Sequence, residues 1–233
     1  MRVSRFFVAS LEDTVLLGTE ESHHATGVLR LRAGDAVELF DGRGGAGRYR
    51  IAESGKRGVS LELVAREEET REPRVSVTLA FAPPRPKRTA ALVEKATELG
   101  VARFVPLETQ RTRVPLPAKG IEKLRRRAIE ACKQCGRNVV PSFADSTCLA
   151  ALVEREQAEL RLLPDARGGA PLKAALRPAQ SVLFAIGPEG GFEDDERALL
   201  RGAGFQPVVL GRSVLRTETA ALAILACLVF ELG

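Results

Sequence analysis

The stretch Arg66-Glu-Glu-Glu-Thr-Arg-Glu-Pro-Arg74 is charged and free of core-building side chains, and the hydrophobic pattern differs on its two sides. Before it, short runs such as Arg5-Phe-Phe-Val8, Ala36-Val-Glu-Leu-Phe40, Arg48-Tyr-Arg-Ile51 and Val59-Ser-Leu-Glu-Leu-Val64 cluster or alternate apolar residues, as strands do. Asp41-Gly-Arg-Gly-Gly45 marks a tight turn between them. One helical segment, about 19–29, opens with Glu20 and Glu21, which suit the helix dipole. So many short strands close most naturally into a small barrel. After the charged stretch, strand patterns at 75–81, 102–107, 160–163, 181–186 and 206–210 alternate with helix patterns at 87–99, 118–135, 147–158, 193–202 and 217–231. That alternation predicts an α/β domain with a mostly parallel sheet. The expected division is a barrel over residues 1–70 and an α/β domain over 71–233, with the charged stretch as linker.

Composition removes several classes. A chain of 233 residues that is 45% hydrophobic is not intrinsically disordered. Its longest apolar run, Ala220 to Phe230, is shorter than the roughly 17–25 residues that span a bilayer. No charged leader with a cleavage site opens it. Cys132, Cys135, Cys148 and Cys227 are too few for a disulfide scaffold and are expected as thiols. The expectation is a soluble cytoplasmic protein with no membrane partner and no metal.

The net charge of +5 is unevenly spread: residues 85–137 hold 14 basic and 5 acidic side chains, whereas residues 1–70 hold 10 basic and 12 acidic. A local basic excess suits phosphate, and the planar fork of arginine suits it best. Candidate RNA contacts are Arg111, Arg113, Arg125, Arg126, Arg127 and Arg137 in the basic window, with Arg30, Arg32 and Arg43 beside the barrel strands. Solvated surface is the other reading of these cations. With 5% aromatic residues, base stacking is not the main mode of binding.

Phe184-Ala-Ile-Gly-Pro-Glu-Gly-Gly-Phe192 runs from a strand through three glycines into a helix headed by Glu193-Asp-Asp-Glu196. Glycines at such a turn allow backbone to approach a ligand, or serve the turn geometry alone. Four carboxylates in the first helical turn repel a phosphate placed there, and neither GxGxxG nor GxxxxGK[ST] is present. A neutral or cationic ligand fits better. S-adenosylmethionine has a sulfonium, an ammonium and no phosphate, and Glu189 is a candidate partner for its charge. A second loop, Leu210-Gly-Arg-Ser-Val-Leu-Arg-Thr-Glu-Thr219, enters the final helix. Two adjacent strand ends with glycine loops make a crevice of the kind where open α/β sheets bind ligands. The final helix, apolar nearly all round, must be buried on every side, which predicts a homodimer.

Gly187–Phe192 (GPEGGF), Leu210–Ala220 (LGRSVLRTETA), Ala131–Arg137 (ACKQCGR), Glu94–Gly100 (EKATELG) and Leu39–Gly44 (LFDGRG) together resemble the bacterial 16S rRNA uridine-N3 methyltransferase family of the SPOUT superfamily. The resemblance covers essentially the whole chain. It implies a PUA-like N-terminal barrel and a SPOUT domain with a C-terminal trefoil knot, a course that ordinary topology disfavours. It also implies a homodimer that uses S-adenosylmethionine to methylate N3 of one uridine in 16S rRNA, free or within the 30S subunit. Family cofactor positions fall on Leu163, Gly187, Glu189, Gly190, Gly191, Leu210, Gly211, Val214, Leu215, Arg216 and Thr217. Ser213 and Gly27 stand where relatives commonly carry arginine.

The uracil ring nitrogen is protonated near neutral pH, so its methylation needs a base and charge stabilisation. Glu218 is the candidate base and Arg216 the candidate stabiliser; an ion pair of Arg216 with Glu218 or Glu189 is the structural alternative. The target base must leave its stack. Cys132 and Cys135 lack a second pair at zinc spacing and read as helix packing. His23 and His24 read as structural or at an RNA edge. A different class of function, a non-catalytic RNA-binding protein using the barrel and the basic window, leaves the glycine loops merely structural.

Overall fold

The computed structural model describes residues 3–55, 58–67, 70–112 and 115–233. These form two compact units, one of Met1–Glu72 with Cys132–Val140 and one of Pro73–Ala131 with Pro141–Gly233. The first unit therefore takes nine residues from the middle of the chain, which the hydrophobic pattern does not announce.

The first unit contains strands β1 (Ser4–Phe7), β2 (Thr14–Leu16), β3 (Ala36–Phe40), β4 (Ala46–Gly55) and β5 (Gly58–Glu67). They make one sheet in the order β1-β3-β4-β5-β2, parallel only between β1 and β3. Alternation places Phe6, Val37, Leu39, Tyr49, Ile51 and Leu61 on the inner face, where all are buried in one core. The helical segment expected over 19–29 divides into helix α1 (Thr19–His23) and a π-helical turn, His24–Val28. Thr26 Oγ1 donates to the Ser22 carbonyl at 2.9 Å, a back-bond that bends helices.

The expected linker is anchored rather than free. Arg66 and Glu67 extend β5, and the Glu72 carboxylate accepts hydrogen bonds from Arg137 and from the backbone N–H groups of Asn138 and Val139. Arg5, buried, donates Nη1 to the carbonyls of Cys132 and Arg137 and Nη2 to the side chain of Asn138. Its Nε lies 2.7 Å from Glu38, off the hydrogen-bonding line. Burial raises the Glu38 carboxyl above the usual range, against the pull of Arg5. Cys132 is fully buried beside this clasp, and burial pushes its thiol up to about 12; it packs, as the sequence suggests.

The second unit is built on strands β6 (Ser76–Phe81), β7 (Arg103–Glu108), β8 (Ser142–Phe143), β9 (Thr147–Cys148), β10 (Leu160–Pro164), β11 (Ala170–Pro171), β12 (Ser181–Ile186) and β13 (Gln206–Val209). All pair in parallel, in the order β11-β13-β10-β12-β6-β7-β8, with β9 beside β7. The central strands β6 and β12 are almost continuously apolar, as strands covered on both faces must be. The helices are α2 (Pro86–Glu98), α3 (Ala118–Cys135), α4 (Leu149–Arg155), α5 (Leu172–Ala175), α6 (Asp194–Gly202) and α7 (Thr217–Leu232). Helix α2 starts with proline at its first turn and stops at Gly100, whose φ of +99° is the left-handed conformation that closes a helix. Helix α7 packs on α2, β6 and β12 through Ala221, Ile224, Leu225 and Leu228, but Phe230 on its other side is 86% exposed. The expectation of burial on every side thus fails within one chain.

Candidate functional site

Strands β10, β12 and β13 are parallel neighbours, so their carboxyl ends open on the same edge of the sheet, where such folds hold ligands. The two glycine loops are not on adjacent strands, because β10 stands between β12 and β13. A third segment, Pro164 to Arg167, therefore joins the Gly187–Phe192 and Leu210–Arg216 loops in lining a cavity of about 630 Å³. That volume is in the range of small-molecule sites.

Each wall has a local cause. In the first loop Phe192 is buried and folds back over Gly187, where a Cβ would come within 3.1 Å of the ring. The backbone N–H of Gly191 donates to the Pro188 carbonyl at 2.8 Å, closing the turn. Helix α6 follows with a capping box between Glu193 and Glu196. The other carboxylates of that first turn are also committed: Asp194 pairs with Arg167 at 2.7 Å and Asp195 accepts from the Gln110 amide. Arg111 braces the loop from outside, donating to the Gly190 carbonyl and to Glu193. Thr217 Oγ1, at the start of α7, donates to the Gly187 carbonyl at 3.4 Å and joins the two glycine loops. Between the loops, Asp165 and Arg197 form a buried pair at 3.4 Å in the cavity wall.

The glycines differ in what they are for. Gly187 is packed and Gly191 has φ +70°, so the fold accounts for both. Gly211 lines the cavity, has no left-handed φ, and a Cβ built on it would meet nothing within 4 Å. Neither packing nor backbone conformation asks for glycine there. Open space in a cavity wall does.

Of the residues singled out in the sequence, Gly187, Glu189, Gly190, Gly191, Leu210, Gly211, Val214, Leu215, Arg216 and Thr217 all line this cavity. Leu163 is fully buried in the core behind it, and the next residue, Pro164, forms the wall. Arg216 is exposed at the N-cap of α7 and, among the described residues, has no ion pair. The pair that sequence offered to it with Glu218 or Glu189 belongs to Arg88 instead. Arg88, in the first turn of α2, donates to Glu189 at 2.7 Å and lies 3.5 Å from Glu218. Glu218 is not among the residues that line the cavity; it is 19% exposed, and its Oε2 is buried with no hydrogen-bond partner among the described residues. In the sequence Arg88 is only one cation of the basic window; its place in the first turn of a helix beside a strand end is the available signal.

The candidate RNA contacts are not equivalent. Arg137 is buried and bonded to Glu72, so it is unavailable to phosphate. Arg111 holds the cavity loop, Arg127 pairs with Glu94 at 2.6 Å, and Arg125 lies 3.6 Å from Glu122. Arg126 is exposed and, among the described residues, unpaired. Arg30, Arg32 and Arg43 are exposed in the first unit, and Arg113 lies outside the described residues. Among the described residues, no group of three or more His, Cys, Asp or Glu could hold a metal ion, and no helix is long and apolar enough to cross a membrane.

A sequence model for an RNA methyltransferase domain matches residues 70–229, and one for an RNA methyltransferase PUA domain matches residues 17–64. The ribosomal RNA small subunit methyltransferase E of Synechocystis is 36% identical over 93% of this chain and 73% of its own length. The chain belongs to the ribosomal RNA small subunit methyltransferase E family. The family enzyme of Neisseria gonorrhoeae, bound to S-adenosyl methionine, has TM-score 0.94 and 30% identity, covering 100% of this chain and 99% of its own. A putative methyltransferase of Legionella pneumophila in complex with the same cofactor has TM-score 0.92 and 32% identity, covering 98% of this chain and 97% of its own. Both structures match this chain over nearly its whole length, so it shares the fold of both units with them.

Proposed function

We propose that this chain is an S-adenosylmethionine-dependent methyltransferase that acts on N3 of a uridine in 16S ribosomal RNA. The observation that carries the reading is the cavity at the ends of β10, β12 and β13: a half-exposed carboxylate, Glu189, stands in its wall, and Gly211 leaves room that the fold does not need. The first turn of α6, with its carboxylates committed to the capping box, to Arg167 and to the Gln110 amide, suits a ligand without phosphate. Side chains such as Ile186, Val208, Leu210 and Leu215 in the same wall suit a flat heterocycle. The residues present fit S-adenosylmethionine, with Gly187, Glu189, Gly190, Gly191, Leu210, Gly211, Val214, Leu215, Arg216 and Thr217 holding it and Leu163 supporting them from the core.

When bound, the cofactor supplies an electrophilic methyl on a cationic sulfur. Glu218 takes the N3 proton, and Arg216 stabilises the negative charge that then spreads over the flanking carbonyl oxygens. The nitrogen lone pair forms the new C–N bond as the C–S bond breaks. Arg216 is suited to this because no carboxylate among the described residues holds it. The exposed apolar face of α7, with Cys227 and Phe230, supports a homodimer; a Phe230→Glu variant sedimenting as the monomer would bear this out. The trefoil course of the C-terminal residues is what the family resemblance implies; helix α7 lies on α2, β6 and β12. The partner is 16S rRNA, alone or in the 30S subunit, in the cytoplasm.

The deciding experiment incubates the protein and labelled cofactor with small-subunit rRNA or 30S particles and maps the modified nucleotides. One labelled uridine, methylated at N3, is expected. No label, together with an unchanged melting temperature at saturating S-adenosylmethionine, would instead indicate the non-catalytic RNA-binding protein.

A further inference from the structure

Glu189, in the cavity wall on the loop after β12, and Glu218, next in sequence to the lining residue Thr217 in the first turn of α7, come from different segments and both converge on the guanidinium of Arg88. Side-chain exposures of 32% for Arg88, 48% for Glu189 and 19% for Glu218 place this cluster at the boundary of water and protein, where an ion pair is only partly screened. Arg88 is itself in the cavity wall. Among the described residues it is the ion partner that Glu189 and Glu218 have, and the second oxygen of Glu218 has no hydrogen-bond partner among them. Two like charges brought within reach of one side chain repel each other unless a cation stands between them.

We propose that Arg88 is a positioning residue: it holds Glu189, which stands in the cavity wall, and Glu218, the proton acceptor proposed above, in fixed relation through one forked cation. Arginine rather than lysine is needed, because Nη1 serves one carboxylate while Nε faces the other, and an ammonium offers a single charged point. The inference rests on the cofactor reading above, and it adds a residue and a role that the loop motifs do not contain.

The test is a double-mutant cycle read by calorimetric titration of S-adenosylmethionine and S-adenosylhomocysteine into the unliganded protein. Arg88→Met is expected to weaken S-adenosylmethionine binding about tenfold, the size of a charge-assisted hydrogen bond removed at a partly exposed site. In a Glu189→Gln background the same substitution is expected to add less than about twofold. Arg88→Lys should recover part of the affinity, and S-adenosylhomocysteine, which lacks the sulfonium, should respond less than S-adenosylmethionine. Melting temperatures of the unliganded variants separate this from a general loss of fold. If Arg88→Met and Glu189→Gln act additively, or if both ligands weaken equally along with the melting temperature, Arg88 is a packing residue and the proposal is overturned. If the wild-type protein binds neither compound, the cofactor reading itself falls and takes this one with it.

Discussion

At the scale of single residues, Gly211 and Glu38 make opposite kinds of prediction. Adding a methyl group at Gly211 meets no protein atom, so Gly211→Ala should leave the melting temperature of the unliganded protein within a degree or two, since about 0.5 kcal/mol is typical of uncommitted positions. It should weaken S-adenosylhomocysteine binding about tenfold or more, as a methyl group placed where a ligand must lie costs on the order of 1–3 kcal/mol; undiminished binding would return the loop to a purely structural role. Glu38 binds its proton more tightly in the fold than in the unfolded chain, because burial raises it. The folded state then carries more protons above the ordinary carboxylate range, so its contribution is lost as pH rises through 4.5 toward neutrality. The melting temperature of Glu38→Gln should therefore gain on the wild type as pH increases from that value, and a constant difference would contradict this. Glu189 and Gly211 were legible in the sequence because motifs are local. Arg88 was not: its partner Glu189 is 101 positions away, and only folding brings the pair together.

Among the elements, α6 owes its start to Glu196. That buried carboxylate accepts from the backbone N–H of Glu193 within the helix cap and from the backbone N–H of Gln110 on a neighbouring segment, each at 2.8 Å. Glu196→Ala leaves two amide donors unpaired and should cost about 2 kcal/mol in denaturant unfolding, whereas Glu196→Gln keeps an acceptor and should cost about half as much. Equal losses would mean that packing, not the hydrogen bonds, is what Glu196 provides. The long elements were readable from their periods. Helix α3 carries its buried Ile121, Leu124, Ala128 and Ala131 at helical spacing, and its expected bounds of 118–135 match Ala118–Cys135. The pieces of two or three residues, β2, β8, β9 and β11, hold too few side chains to show a period. They are strands because a neighbour offers an edge, as β7 does to Thr147 and Cys148, which were expected to begin a helix.

For the whole molecule, the structure redistributes the basic window. Most of its arginines are consumed in ion pairs, while Lys119, Lys123 and Arg126 follow one another at i, i+4 and i+7 along α3 without ion pairs among the described residues. Replacing these three by glutamine should weaken rRNA binding and reduce the slope of log affinity against log salt by about 2, at roughly 0.7 for each phosphate no longer neutralised. Replacing Arg125 and Arg127, which answer to Glu122 and Glu94, should change that slope less. Net charge by sequence window was legible; which cations remain free was not, because pairing is decided in three dimensions. The same holds for the clasp of Arg5 and Glu72 on residues 132–140. It also bears on how the protein is made. A chain emerging from the ribosome N-terminus first exposes Arg5 and Glu72 long before it exposes their partners, so the first unit waits, with a buried-to-be arginine still in water, until Val140 has left the exit tunnel. Ribosomes halted just before and just after that point should carry nascent chains that differ sharply in how fast a protease removes their N-terminal strands.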